Sequence, residues 1–576
     1  MTKITRRGAL VSGFAASAAS CAGSPKMTPY ISVSESAGGV FAHGVASGDP
    51  GPDSTVIWTR VSHGAEAAPG ATSTVVWEIA ADDAFTNVLG NGETTTGASR
   101  DWTVKTLLTD LKPGMVYFYR FRIGDQISPV GRTRTLPAGA IDSARFAVLS
   151  CSNYPFGYFN VYDQIARRDD FDAVIHLGDY LYEYGRDGYG GETGARIGRE
   201  HEPAHEIVSL EDYRRRHAQY KTDPASQAMH AAQTIIPIWD DHETSNNSWK
   251  DGAENHQPET EGEWAARRRA ALQAYYEWMP VREPAMAPEA FFRSYSYGDL
   301  LTVCAIETRL MARAQQFEYS DIVSQLNTPE DVERFKSETL WDQSREMLGR
   351  AQTDYLSRTI AESNSAGQPW RLIANQIIMA KVATPDLSAH ITEEGIEELQ
   401  SQWDQGRAFV EVSKLGLPSN FDAWDGYPAA RERFYDMAKA AGGDGMIVVT
   451  GDTHTWWAND LTDRAGDLRG VELGAHSVSS PSPYRKEFLN GKGAEYSLLT
   501  NRDNEDVRYL SGEDHGYIDL VIGREDAKAR FMAVDTVESR DYNAFEKAAF
   551  TIKRGDGAAK FSGSTGLGLK ERFLFR

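Results

Sequence analysis

Four short apolar runs in this sequence each end at side chains that can bind a metal ion or transfer a proton. The runs and the residues that follow them are 145–149 with Cys151, 172–177 with Asp179 and Tyr182, 235–239 with Asp240, Asp241, His242 and Glu243, and 446–450 with Asp452 and His454. Short apolar runs bounded by glycine and polar residues are typical of buried strands. Ligands of open α/β sheets bind beyond the carboxyl ends of strands. The four ends together therefore predict one metal site assembled from distant parts of the chain.

Tyr182 and Cys151 indicate what kind of metal ion this site would hold. A phenol with a pKa of about 10 binds as phenolate only beside a strong Lewis acid, and a metal-bound cysteine is a thiolate. The pair favours a transition metal, ferric iron in particular, over magnesium. The alternatives are that Tyr180, Tyr182 and Tyr184 form an ordinary aromatic series and that Cys151 is an inert buried cysteine.

The remaining two clusters predict a second metal ion and a proton donor. One carboxylate after 235–239 can bind that ion, and His242 can then act as a general acid or stabilise the transition state. Asp452 and His454 lie at i and i+2 of an extended segment and so face the same side. Two metal ions about 4 Å apart would bind an ester phosphate, activate water and neutralise charge during an in-line displacement.

The elements that must position these residues fall into two regions. Strand-like runs such as 116–122, separated by Gly, Pro, Asp and Asn, predict an all-β, sandwich-like module over 38–138. Strands alternate with helical segments from residue 144 onward, which predicts an α/β catalytic domain over 144–540. Residues 541–576 are interpreted as a C-terminal tail.

Three helices and two loops are predicted inside the catalytic region. Residues 161–167 have helical spacing, and 264–278 and 352–363 have the composition of strong helix formers. The segments 183–210 and 245–263 are rich in glycine and charge and lack periodicity. We therefore expect these two segments to be active-site loops.

The first 30 residues have the pattern of an export signal. Lys3, Arg6 and Arg7 precede a mild apolar stretch that is too short to span a membrane. The paired arginines resemble a twin-arginine signal, which implies the twin-arginine export machinery as a partner and a periplasmic or secreted protein. Cys21 offers an alternative cleavage site that would leave the protein lipid-anchored.

The bulk composition excludes some classes of partner. The 576 residues, 41% hydrophobic and 25% charged, are typical of a globular protein with more than one domain. The formal net charge of −22 argues against a surface that binds nucleic acid. It would also repel anionic substrates, so phosphate chemistry would need local positive charge such as bound metal ions. Cys304 lies in an apolar run and is interpreted as a buried residue rather than a disulfide partner of Cys151.

The motifs, taken in order, resemble those of a known family. They are Cys151, Gly178-Asp179-x-x-Tyr182, Trp239-Asp240-Asp241-His242-Glu243, Ala374-Asn375-Gln376 and Gly451-Asp452-x-His454. This set resembles the PhoD-type alkaline phosphatases, which are related to purple acid phosphatases and other calcineurin-like metallophosphoesterases. Residues 43–50 resemble the start of that family's N-terminal domain. The resemblance implies an α/β (α+β) fold, a metallophosphoesterase β-sandwich flanked by helices, with an N-terminal all-β fibronectin- or Ig-like domain.

The resemblance also implies a metal centre with two or three ions. The residues that would hold ferric iron (Fe³⁺) are Cys151, Asp179, Tyr182 and His454. Asp179 would bridge to calcium (Ca²⁺), with Asp241 and Asp452 among the calcium ligands. Gln376, or its neighbour Asn375, stands where related phosphoesterases carry a histidine ligand. His242 matches the catalytic histidine, and Arg309 resembles a phosphate-contacting arginine.

The implied function is the hydrolysis of phosphate mono- and diesters, phospholipid or polymer diesters included, by attack of a metal-bound hydroxide. His242 would protonate the leaving alkoxide or stabilise the transition state. Two alternatives stay open. One is a phosphodiesterase with phospholipase D-like specificity and little monoesterase activity, and the other is a surface-binding protein with a degenerate metal site.

Overall fold

The computed structural model describes residues 39–62, 70–285, 287–402, 406–486, 491, 493–555 and 557–565. The predicted export signal and Cys21 lie outside these residues. In the described part of the chain, two large sheets pack face to face and a smaller sheet lies beside them. No helix in the described ranges is both long enough and apolar enough to cross a membrane.

The first large sheet has ten strands in the order β22-β21-β20-β19-β9-β10-β11-β1-β2-β5. Its central strands β9, β10, β11 and β1 are parallel, and the strands on either side are antiparallel. The strands are β1 (Val45–Gly48), β2 (Thr55–Arg60), β5 (Thr103–Leu108), β9 (Ser143–Leu149), β10 (Ala173–His176), β11 (Thr234–Pro237), β19 (His515–Gly523), β20 (Asp526–Val534), β21 (Ala544–Arg554) and β22 (Ala559–Thr565).

The second large sheet has seven strands in the order β12-β13-β14-β15-β17-β16-β18, with β13, β14, β15 and β17 parallel. The strands are β12 (Arg293–Tyr297), β13 (Leu301–Ala305), β14 (Trp370–Ala374), β15 (Met446–Thr450), β16 (Trp456–Thr462), β17 (Leu468–Gly474) and β18 (Val507–Ser511). Cys304, in β13, is buried and makes no disulfide, as is also true of Cys151.

The small sheet contains the N-terminal strands that do not join the ten-stranded sheet. They are β3 (Thr72–Ala80), β4 (Val88–Gly97), β6 (Val116–Ile123), β7 (Gln126–Ile127) and β8 (Gly131–Arg134). Buried Val75 and Phe121 from this sheet share a core with Ile57 and Val104 of β2 and β5. Strand pairing therefore crosses both predicted domain boundaries, because β1, β2, β5, β21 and β22 all belong to the ten-stranded sheet.

The helices cover the outer faces of the two large sheets. They are α1 (Asn160–Ala166), α2 (Gly191–Ile197), α3 (Leu210–Thr222), α4 (Pro224–Ala232), α5 (Pro258–Glu261), α6 (Trp264–Trp278), α7 (Tyr319–Ile322), α8 (Pro329–Arg334), α9 (Gly349–Ser365), α10 (Glu393–Gln402), α11 (Gly406–Ser413), α12 (Pro428–Ala440) and α13 (Gly493–Asp503). The predicted helices over 161–167, 264–278 and 352–363 are confirmed as α1, α6 and α9.

The alternation of buried side chains explains the layers. Val148 and Ile175 point between the sheets and pack against Leu372 and Val449 of the facing sheet. Neighbouring residues point outward, where Leu149 meets α1 and α6, because successive side chains of a strand lie on opposite faces. Burying each such aliphatic side chain stabilises the fold by about 1.5–3 kcal/mol. The predicted sandwich flanked by helices is confirmed.

Candidate metal centre

All four predicted strand ends meet at one edge of the sandwich. β9, β10 and β11 are parallel neighbours in one sheet, and β15 belongs to the other. The residues after β9 and β10 stay paired, since Cys151 N donates to Gly178 O at 3.1 Å. The two sheets are joined here by a bridge between Ser150 and Ser477. The side chains that follow these strands therefore converge at the seam between the sheets.

The glycines of Gly178-Asp179 and Gly451-Asp452 are required at this seam for steric reasons. A Cβ on Gly178, whose φ is +100°, would collide with the backbone nitrogen of Asp240. A Cβ on Gly451 would lie 2.5 Å from Ser150 Oγ, across the boundary between the sheets. Only glycine, which has no Cβ, lets the backbone come this close to its neighbours. Each glycine thus lets the aspartate that follows it reach the common site.

Four of the predicted ligands have left-handed backbone conformations. Their φ angles are 62° for Cys151, 52° for Asp179, 59° for Asp452 and 50° for His454. This region is sparsely populated by residues other than glycine, and such strain concentrates at functional sites. The surrounding sheets hold these residues in turns that aim the side chains at one another.

The first group of ligands surrounds one carboxylate oxygen. Asp179 Oδ2 lies 3.3 Å from Cys151 Sγ and 3.1 Å from the Tyr182 hydroxyl. The same hydroxyl is 3.1 Å from His454 Nε2. His454 Nδ1 lies 3.1 Å from the carbonyl of Pro481, to which it can donate, leaving the lone pair of Nε2 directed at the group.

The protonation of this group depends on its burial. Burial, reinforced by the charge of Asp179, raises the pKa of Cys151 and of Tyr182 well above their ordinary values. Burial lowers the pKa of His454 to about 3, so its imidazole is neutral. Without a cation, the thiol and the phenol are therefore hydrogen-bond donors. A bound cation would reverse this by favouring thiolate and phenolate.

A second group of carboxylates lies beside the first. Single oxygens of Asp240, Asp241 and Asp452 lie within 4.8 Å of one another, and Asp179, Asp241 and His242 form an overlapping group with the same limit. Asp179 also belongs to the group with Cys151 and His454. Asp179 is therefore placed between the two groups, where the sequence predicted a bridging ligand.

Asp240 was not among the predicted ligands, although it belongs to the same motif. Its side chain is buried, and its Oδ2 has no hydrogen-bond partner among the described residues. Asp241 Oδ1 and Asp179 Oδ1 share this property. Buried carboxylate oxygens without partners carry a desolvation penalty unless a proton or a cation satisfies them.

Arg309 does not line the pocket, contrary to the predicted contact with phosphate. Its side chain is fully buried, and Nη1 donates to both carboxylate oxygens of Asp422 at 2.8 and 2.7 Å. Nε donates to Asp240, and Nη2 lies 3.3 Å from Asp452 Oδ1. Each of the three guanidinium nitrogens of Arg309 therefore contacts a carboxylate of the protein itself, and the arginine keeps these carboxylates close to one another.

Gln376 is likewise not brought into the cluster of ligands. Its Nε2 donates to the carbonyls of Trp239 and Ile306 at 2.9 and 2.8 Å, and its Oε1 accepts from Thr308 at 2.7 Å. Asn375 is also occupied, because its Oδ1 accepts from Trp424. The hydrogen bonds of Gln376 connect residues that lie just after β11 and β13. Its position therefore does not support the predicted role as a metal ligand.

His242 lies at the pocket, as predicted, and has a partner that the sequence did not reveal. Its Nδ1 is 2.6 Å from Glu183 Oε2. Glu183 is fully buried and also accepts from Asn246 N at 2.7 Å and Asn255 Nδ2 at 2.9 Å. Burial alone would lower the pKa of His242, but Glu183 and Asp241 raise it well above its ordinary value. The two carboxylates therefore favour the protonated imidazole, which is a hydrogen-bond donor.

A pocket of about 590 Å³ opens onto these groups. Tyr184 and Tyr189, from the predicted loop 183–210, line it, as do Asn246 and Asn247 from 245–263. Residues from both predicted active-site loops therefore line the pocket, although the segments also contain the short helices α2 and α5. The other wall is largely apolar and includes Ile378, Val382, Phe409, Trp457, Tyr484 and Tyr496.

Comparison with protein families gives two matches that together cover most of the chain. Residues 146–531 match the model of the PhoD-like phosphatase. Residues 26–137 match the model of the PhoD-like phosphatase N-terminal domain. The second match ends just before β9, the strand that leads to the first candidate ligand, Cys151.

One curated protein and one solved structure are each similar to this chain over most of its length. Alkaline phosphatase D of Bacillus subtilis (strain 168) is 32% identical over 541 residues, which covers 91% of this chain and 83% of that protein. The solved structure of PhoD superposes with a TM-score of 0.74 at 29% identity, covering 93% of this chain and 96% of the other. The chain therefore belongs to the PhoD-like phosphatase family and is a hydrolase of phosphoric ester bonds.

Proposed function

We propose that this enzyme hydrolyses phosphate mono- and diesters with a ferric ion and calcium held at the seam between the sheets. The observation that carries the proposal is the set of three buried carboxylate oxygens, Asp179 Oδ1, Asp240 Oδ2 and Asp241 Oδ1, without hydrogen-bond partners among the described residues. One cation beside each group of ligands would satisfy all three. The residues present therefore fit a metal centre.

The donor atoms support different ions at the two ends of the cluster. Sulfur, phenol oxygen and imidazole nitrogen at Cys151, Tyr182 and His454 suit a transition metal that can stabilise thiolate and phenolate. Asp179 Oδ2 lies 3.3 Å from Cys151 Sγ and 3.1 Å from the Tyr182 hydroxyl, which itself lies 3.1 Å from His454 Nε2. These donor atoms are close enough to one another to bind a single ion. Asp241 and Asp452 offer carboxylate oxygens, which suit calcium.

The chain's own residues would handle the leaving group. When bound, the cations would neutralise the charge of the phosphate and activate a water molecule. His242 donates the proton that the leaving alkoxide needs, because Glu183 holds Nδ1 and leaves Nε2 for the substrate. The ring of His242 is fixed by Tyr182, with centroids 4.1 Å apart. Proton donor and metal ligands are thus held as one rigid unit.

A second candidate is a phosphodiesterase with little activity on monoesters. The size of the pocket and its apolar wall favour it, since a phosphate group alone leaves much of about 590 Å³ unfilled. Rates with 4-nitrophenyl phosphate and bis(4-nitrophenyl) phosphate would separate the two candidates. Comparable kcat/KM values on both would support the broader activity.

The metal proposal is tested on the purified enzyme. We expect iron and calcium by elemental analysis and a visible charge-transfer band that disappears in Tyr182→Phe. Asp179→Ala should abolish hydrolysis and metal binding while the circular dichroism spectrum stays unchanged. An active enzyme without iron would refute the assignment of the ferric ion.

We also propose that the protein is exported by the twin-arginine route to the periplasm or the exterior. The support is the pattern of residues 1–30 in the sequence. Replacing Arg6 and Arg7 by lysine should keep the protein in the cytoplasm in cell fractionation, as such a route requires both arginines. Labelling with a radioactive fatty acid, lost in Cys21→Ala, would favour the lipid-anchored alternative.

A further inference from the structure

The lining of the pocket carries an uneven distribution of charge. Its described lining contains four aspartates, which are Asp179, Asp241, Asp425 and Asp452. The same lining contains a single arginine, Arg485, and no lysine. In a protein with a formal net charge of −22, an anionic ester is repelled at long range. The permanent cation of this lining is therefore a candidate for substrate recognition.

Arg485 is anchored by the backbone but is not neutralised. Its Nη1 donates to the carbonyl of Ser482 at 2.8 Å, and its side chain is half-buried. No carboxylate in the described ranges forms an ion pair with it. A guanidinium presents several N–H donors in a rigid fork. The donors that Ser482 does not use are available to an anionic group in the pocket.

Arg485 forms no ion pair with the aspartate cluster. Asp240, Asp241 and Asp452 form ion pairs with Arg309 instead. Tyr484, the neighbour of Arg485 in the sequence, stacks on Tyr496 in the same lining with ring centroids 5.0 Å apart. We call the part of the lining that contains Asp241 and Asp452 the aspartate end, and Arg485 adjoins the aromatic pair in the rest of the lining.

We propose that Arg485 binds a second anionic group of the substrate, carried by the alcohol part of the ester and not by the phosphate that is cleaved. This inference rests on the proposed hydrolysis at the aspartate end. The cleaved phosphate would occupy that end, the body of the alcohol would lie on the aromatic wall, and its anionic group would reach Arg485. The substrate class is therefore a phosphate ester whose alcohol carries a carboxylate or a further phosphate.

Two matched aryl esters test the proposal. The substrates are 4-carboxyphenyl phosphate and 4-carbamoylphenyl phosphate, which differ in the charge of the group farthest from the cleaved bond. The measured quantity is the ratio of their kcat/KM values. A charge-assisted hydrogen bond to Arg485 should favour the carboxylate, so Arg485→Gln should lower the ratio about tenfold. Arg485→Lys keeps the charge and should lower it less.

A surface variant supplies the control. Arg502→Gln removes the same charge from an exposed ion pair with Asp503 and should leave the ratio unchanged. An unchanged ratio in Arg485→Gln with a native melting temperature would overturn the proposal. An equal loss on both esters would also overturn it, because Arg485 would then contact the cleaved phosphate. If the wild-type enzyme hydrolyses neither ester, the proposed function is contradicted instead.

Discussion

Glu183 Oε2 lies 2.6 Å from Nδ1 of His242, and both side chains are buried beside the candidate metal ligands. This contact fixes the ring and keeps it protonated. Glu183→Gln should therefore lower kcat by about 10- to 100-fold, as is typical when the partner that orients a functional histidine is replaced. KM should change little, since Glu183 does not line the pocket.

The measurement is steady-state kinetics with metal analysis on the same preparation. Glu259→Gln, which removes an exposed carboxylate, serves as the control and should behave as wild type. Loss of bound metal together with activity in Glu183→Gln would contradict the prediction, because the residue would then support the metal centre and not the histidine.

Gly451→Ala should damage the seam between the sheets. The added Cβ would lie 2.5 Å from Ser150 Oγ, and relieving that overlap costs about 1–3 kcal/mol in packed surroundings. We expect a lower melting temperature and a lower metal content. Gly563→Ala is the matched control, because a Cβ there meets nothing within 4 Å. Equal melting temperatures for the two variants would argue against a tight seam.

Asp519 predicts a pH dependence of stability. Hydrogen bonds from Arg145 and the charge of Arg168 outweigh burial and lower the pKa of this carboxyl. A carboxyl with a lowered folded pKa stabilises the protein above its unfolded pKa, about 3.9, and loses that contribution as the pH falls through the folded value. Asp519→Asn should thus cost about 3 kcal/mol at pH 7, and the difference should shrink below pH of about 4.

Urea unfolding of both proteins at several pH values measures this difference. The control is Asp299→Asn, which breaks an ion pair with Arg524 that is 40% exposed on both sides and should destabilise the protein far less, because solvent screens an exposed pair. A constant difference between Asp519→Asn and wild type at all pH values would contradict the lowered pKa.

Lys221 predicts a pH dependence in a higher pH range, where the charged form of the group destabilises the folded protein. Its ammonium group is buried, lies 2.9 Å from His230 Nε2 and faces the rings of Trp58 and Tyr180. Burial lowers its pKa well below the ordinary value, so the folded protein favours neutral lysine while the unfolded chain is protonated up to a pH of about 10.4. Stability should therefore rise with pH between these two pKa values.

Lys221→Met removes this penalty and keeps most of the volume. The variant should be more stable than wild type at pH 7 by about 1 kcal/mol or more, with a gap that narrows toward pH of about 10. Thermal unfolding at pH 7 and 10 provides the measurement. A variant that is less stable at both pH values would show that the contact with His230 outweighs the cost of burial.

The strands and the ligands at their ends were predictable because each pattern is local. An apolar run that ends at Gly178 or Gly451 is recognisable as a buried strand from the local sequence alone. The aspartate that follows the glycine must then lie at the edge of the sheet. The partners of those ligands were not predictable. Arg309 meets Asp422 across 113 positions in the sequence, and nothing near either residue specifies that pairing.

The burial of individual polar residues also could not be predicted from the sequence. His201 lies in a charged loop, where the sequence alone suggests contact with solvent, yet it is fully buried and lies within hydrogen-bond distance of the carbonyl of Tyr184 and the hydroxyl of Tyr220. Glu183 directly follows Tyr182, but its role depends on the distant His242. The roles of such residues can be recognised only in the folded structure, because their partners come from distant elements of the chain.

The order of strands in the ten-stranded sheet has a consequence for biosynthesis. Strand β9, which leads to Cys151, takes one neighbour from β10 and the other from β19, about 370 residues later, where Asp519 meets Arg145 across 374 positions. A growing chain that already contains Cys151, Asp179 and Asp241 still lacks both His454 and β19, the second neighbour of β9. Under the proposed function, metal loading would therefore follow synthesis of the chain through β19. A product that stops between His454 and β19 would have the candidate ligands but would lack the strand that pairs with β9 next to Cys151.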